Sequence, residues 1–118
     1  MSELLRDVDA CVDRIIAAVG NDLVIASPLG LGKPVQLLNA IYHRVAADPA
    51  LSMHLITALC LEVPRPGSDL EARLADPIME RLFRDYEELA FMAPLRSAEL
   101  PDNVRISEFY VRAGSVVG

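Results

Sequence analysis

Asp22-Leu23-Val24-Ile25-Ala26-Ser27-Pro28-Leu29-Gly30-Leu31-Gly32-Lys33-Pro34, running on through Val35 to Ala46, is the stretch that decides the fold. Leu23 to Ala26 is continuously apolar, the pattern of a strand covered on both faces of a sheet. Ser27 to Pro34 breaks that run with prolines and glycines. Val35, Leu38, Ile41, Tyr42 and Val45 then recur at helical spacing on one side. Pro34 suits the first helical position, where a missing N–H costs nothing and the fixed φ is already helical. The segment therefore reads as strand, glycine turn, helix. Two glycines ahead of a helix start predict bare N–H groups near the positive end of the dipole, a cradle for a phosphate or carboxylate.

Spacing excludes two familiar versions of this unit. A P-loop needs Ser or Thr after its lysine, and Pro34 follows Lys33. A dinucleotide fingerprint needs a third glycine where Val35 stands, and no acid at the usual distance closes a following strand for the ribose. On spacing alone, a ligand-free tight turn and an anion site stand side by side. The candidate contacts are Pro28, Gly30, Leu31, Gly32 and Lys33.

Working outward, Leu4, Leu5, Val8, Val12, Ile15, Ile16 and Val19 predict an amphipathic helix with Ser2 as N-cap and Gly20-Asn21 as its stop. Ala47-Asp48-Pro49 ends the glycine-loop helix, and Met53 to Leu59 predicts a second apolar strand. Pro64, Pro66 and Gly67 form an exit loop. Ser68 and Glu71 have capping-box spacing, so a helix should begin near Asp69, with Asp76-Pro77 marking a second short helix or a kink. Leu89, Phe91, Met92 and Leu95 suggest a short helix packed near the sheet, and Val104 to Val111 is the third strand. The expected class is α/β, with a small mainly parallel sheet of about three strands flanked by helices and right-handed crossovers. Ligands in such sheets lie beyond the carboxyl ends of the strands, so Ser27–Lys33, Leu61–Pro64 and Arg112–Ser115 should converge on one edge.

Composition bounds the rest. The 118 residues fit one domain, and 53% apolar content with a mean hydropathy of +0.31 is rich for that size. Apolar surface meant for missing strands, or for a second copy in a homo-oligomer, would account for the surplus. A net charge of −6 with dispersed arginines argues against a nucleic-acid partner. No apolar run reaches the length of a membrane span and no leader pattern opens the chain, so a cytoplasmic location is the default expectation. Cys11 and Cys60 show no CxxC spacing and read as buried free thiols. His43, on the polar side of its helix, and His54, at a strand entry, lack metal-ligand spacing, so no metal is expected. Glu62 reads as a solvated loop carboxylate.

The segment from Ser27 to Gly118 resembles the beginning of the acetyl-CoA hydrolase/transferase family, a branch of the CoA transferases. The likeness is carried by Pro28 to Pro34 with Leu38-Asn39-Ala40-Ile41-Tyr42, Thr57-Ala58-Leu59, Leu61-Glu62 and Asp85-Tyr86. It continues through Leu100 to Val104, Glu108-Phe109-Tyr110 and Gly114-Ser115. The resemblance implies a three-layer α/β sandwich and coenzyme A or an acyl-CoA as substrate. The implied chemistry is transfer of CoA between carboxylates, or thioester hydrolysis, through a glutamyl-CoA intermediate. That family's nucleophilic glutamate belongs to a second half with no counterpart here. The chain is therefore expected to be the N-terminal part of a longer protein, with no catalytic residue of its own, whose Pro28–Lys33 loop faces the CoA thioester. The competing expectations are an oligomerising or partner-docking module without enzymatic activity and a small binder of a phosphorylated ligand.

Overall fold

The computed structural model describes residues 4–109. Their order is α1 (Val8–Val19), β1 (Asp22–Ala26), a 3-10 turn (Gly30–Gly32), α2 (Val35–Ala47), β2 (Ser52–Thr57), α3 (Asp69–Phe83), α4 (Met92–Ser97) and β3 (Val104–Glu108). The three strands form one wholly parallel sheet in the order β1-β2-β3. Register runs from Asp22 opposite Ser52 to Ala26 opposite Ile56, and from Met53 opposite Val104 to Thr57 opposite Glu108.

Because side chains alternate along a strand, one face carries Leu23, Ile25, Met53, Leu55, Val104 and Ile106. α1 and α2 pack on the sheet through Val12, Leu38, Ile41, Tyr42 and Val45, with Leu51, Leu89 and Phe91 completing the core. Burying an aliphatic side chain such as Leu38 or Leu55 contributes about 1.5–3 kcal/mol. The Tyr42 and Phe91 rings meet edge to face at 6.3 Å. Asn103 ties the layers together, its amide donating to the carbonyls of Val45 at 2.7 Å and Leu51 at 2.8 Å.

The opposite face is open: Val24 on it is 70% exposed and neither α3 nor α4 packs across a strand. The described residues thus make two layers, not three. A strand order that never reverses, with crossovers of one hand, brings every connection back over the same face.

Several boundaries move. α1 starts at Val8, because the Asp7 carboxylate accepts the Ala10 N–H at 3.0 Å and caps the helix there. Leu4 lies outside the helix and exposed, while Ser2 falls outside the described residues. Gly20 stops α1 as expected, with φ +97° and its N–H on the Ile16 carbonyl. Pro34 occupies the N-cap position, one residue before the helix. β2 ends at Thr57, two residues early, because Leu59 adopts a left-handed φ of +48°. β3 is described to Glu108; Tyr110 and Val111, and the Arg112–Ser115 segment expected at the sheet edge, fall outside the described residues.

α3 begins where the capping pattern places it. The Glu71 N–H donates to Ser68 Oγ at 3.3 Å, and Glu71 Oε2 accepts the Gly67 N–H at 2.8 Å. It then runs through Pro77 as one helix, so Asp76-Pro77 is not a new start. Proline there forfeits one backbone bond, and the flanking turns keep the helix continuous.

Candidate functional site

The carboxyl edge of the sheet gathers what the strand ends carry. Ser27 follows Ala26, Thr57 closes β2 and Glu108 closes β3, all on the face that holds the core. Backbone bonds continue past the strands, from the Ser27 N–H to the Ile56 carbonyl and from the Phe109 N–H to the Thr57 carbonyl. The Ser27 and Thr57 hydroxyls are buried and have no hydrogen-bond partner among the described residues. Glu108 Oε1 accepts the Cys60 N–H at 3.0 Å, which turns the chain leaving β2 back toward β3.

Lys33 reaches into this edge from the glycine turn. Only 6% exposed, its ammonium donates to the Ala58 carbonyl and, at 3.3 Å, to that of Leu59. Both acceptors belong to the turn that carries the left-handed Leu59. The lysine expected to meet an anion is thus a buried strut between the two loops at the sheet edge.

The backbone of the turn also bonds within itself. The Gly32 N–H donates to the Leu29 carbonyl and that of Val35 to Lys33, so these groups are not bare. Gly30 has φ +50°, a conformation L-residues adopt only at a cost, so the backbone favours glycine there. Gly32 is different: a Cβ would meet Pro28 at an ordinary 3.7 Å. Pro28 and Leu31 are exposed.

Two clefts flank the edge. One, of about 430 Å³, joins Gly30, Leu31 and the start of α2 to Asp85, Tyr86 and Glu87. Its charged groups are carboxylates, which suits an uncharged or cationic group at the helix start and opposes a phosphate. The second, of about 480 Å³, has Leu89, Ala90, Met92 and Ala93 beside two ion pairs. Those pairs are Arg65 with Glu88, at 3.2 Å, and Arg96 with Glu62. Glu62, expected as a free loop carboxylate, is held by α4.

Asn39 on α2 positions the far wall. Its amide donates to Glu87 Oε1 and to the Glu88 carbonyl, both at 2.9 Å, while Oδ1 accepts the Ala90 N–H at 2.8 Å. Tyr86 donates to the Leu61 carbonyl at 2.8 Å, and burial raises its phenol above the usual range. Burial, followed by the Glu108 charge, also raises the Cys60 thiol, with Lys33 pulling the other way. Cys60 is a half-buried free thiol, as is Cys11. His43 is exposed on α2, and His54 within β2 shares a 2.8 Å hydrogen bond with Ser107.

Strand alternation could have placed Ser27, Thr57 and Glu108 in one row, once the parallel register was known. The Lys33–Ala58 contact carries no pattern in the chain. Among the described residues, no three His, Cys, Asp or Glu side chains converge as a metal site, and no helix is long and apolar enough to cross a membrane. Comparison with family models, curated proteins and solved structures found no match.

Proposed function

We propose that this chain is the N-terminal portion of a CoA transferase or acyl-CoA hydrolase, without the glutamate nucleophile and inactive by itself. The observation that carries this reading is an unfinished parallel sheet with a glycine turn at its carboxyl edge. Ligand crevices in open parallel sheets form where successive crossovers leave in opposite directions, and β1-β2-β3 runs one way only. A further parallel strand added at the free edge of β1 would reverse the order beside Ser27 to Lys33. Its crossover would cover the open face around Val24. The same continuation would supply the second half that the family resemblance implies.

In this reading Gly30 and Leu31 admit the neutral thioester or acyl end of the substrate. Lys33 acts as the strut that holds the opposing Ala58-Leu59 turn, and the acidic cleft at α2 keeps the phosphates of CoA elsewhere. The deciding test is the coding region downstream of Gly118, expected to continue into a second α/β half with a glutamate nucleophile. A stop codon there, with no such half in a neighbouring reading frame, refutes the proposal. Thiol release from acetyl-CoA by the isolated chain would refute the statement that its nucleophile lies elsewhere.

A further inference from the structure

α3 presents an apolar stripe that nothing in the described chain covers. Leu70, Leu74, Ile78 and Leu82 are each between 51% and 78% exposed. Spaced four apart, they lie along one side of the helix, while Ala72, Ala75, Met79 and Phe83 on the other side are half-buried. Two charged residues belong to the exposed side as well: Glu71 near its start and Arg81 near its end.

Their order is symmetric about Asp76. Leu70 mirrors Leu82, Glu71 mirrors Arg81, and Leu74 mirrors Ile78. Asp76 itself lies two residues from both Leu74 and Ile78, and so is turned away from the stripe. A surface with this symmetry is complementary to itself under a two-fold axis. We infer that α3 is a homodimerisation surface, pairing antiparallel with α3 of a second copy about an axis near Asp76.

That arrangement sets Leu70 against Leu82, Leu74 against Ile78, and Glu71 of each copy, whose Oε2 keeps the Gly67 N–H, against Arg81 of the other. The wider charge distribution agrees. Asp69, Glu71 and Asp76 outnumber Arg73 in the first half of α3, whereas Arg81 and Arg84 balance Glu80 and Asp85 around its end. Antiparallel pairing matches these halves and opposes the helix dipoles favourably; parallel pairing would stack like on like. Arg81 takes part in no salt bridge among the described residues, so it enters the interface without breaking one. A single helix pair of roughly 22 Å lies at the small end of specific interfaces, so a weak, reversible dimer is expected.

Sedimentation equilibrium of the whole chain from about 5 μM to 1 mM tests this. The expected result is a monomer–dimer equilibrium for the wild type and a loss of at least about tenfold in affinity for Leu74→Glu and for Arg81→Glu. The double reversal Glu71→Arg/Arg81→Glu should recover the dimer, because it restores opposite charges across the axis. Far-UV circular dichroism verifies that each variant keeps its helix. A wild type monomeric throughout overturns the inference and leaves the stripe to another segment or partner. A dimer that survives Leu74→Glu also overturns it, placing the contact at a sheet edge, and so does a folded double reversal that stays monomeric.

Discussion

Lys33→Met gives the sharpest test of how the sheet edge is built. Methionine keeps most of the buried aliphatic stem while removing the ammonium, so the change isolates two hydrogen bonds. Those bonds end on the carbonyls of Ala58 and Leu59, and Ala58 is itself buried. A hydrogen bond from a charged donor contributes about 1.5–3 kcal/mol, and a buried carbonyl left unpaired costs about 1–3 kcal/mol. Water can reach the Leu59 side, which discounts the second bond. The expected loss is about 2–4 kcal/mol, read as a fall in the urea midpoint at unchanged m-value by circular dichroism at 222 nm. Amide exchange at Ala58 to Leu61 should accelerate along with it. A loss below about 0.5 kcal/mol, the size expected of a solvated surface lysine, refutes the strut.

Three further outcomes follow from neighbouring geometry. Leu59 is 56% exposed at φ +48°, so Leu59→Gly should be neutral to about 1 kcal/mol stabilising, whereas Leu59→Val should destabilise by more than about 1 kcal/mol; urea midpoints decide. Asn39→Ala removes three bonds to the 87–90 segment and should cost about 2–3 kcal/mol, with loss of exchange protection at the Ala90 amide. The raised Cys60 thiol means that the folded chain holds that proton more tightly than the unfolded chain does. Its contribution is therefore fully present below the ordinary thiol value of about 8.5 and is lost as pH rises from there through the raised folded value. Iodoacetamide should accordingly alkylate Cys60 more slowly at pH 8 than it does a free cysteine, and Glu108→Gln should speed that reaction.

How far the sequence could be read varies with how local the deciding interaction is. The Leu23–Ala26 strand, the Val35–Ala47 helix, the Gly20 stop and the Ser68-Glu71 start were legible because each rests on neighbours a few residues apart. The start of α1 was less so, since apolar spacing continued back to Leu4 while Asp7 set the cap. Asp76-Pro77, read as a second short helix or a kink, starts no second helix: the pair can open one, but flanking turns carried α3 through it. At the glycine turn, loop composition suggested free N–H groups and a free ammonium. The N–H groups of Gly32, Lys33 and Val35 were consumed by the turn itself, and the ammonium by residues 25 and 26 positions away in sequence.

By itself, then, the chain determined an α/β order with three strands, the first two apolar, a parallel arrangement and the helix limits set by caps and glycines. Periodicity and capping act over one or two turns and need no partner. The tertiary structure alone decided that the strands order themselves β1-β2-β3 with one face left open by the described residues. It also decided that Lys33 points inward, that Glu62 belongs to Arg96, and that the α3 leucines face outward. Those outcomes depend on which distant surfaces meet, and burial and pairing energies between remote residues leave no trace in local spacing.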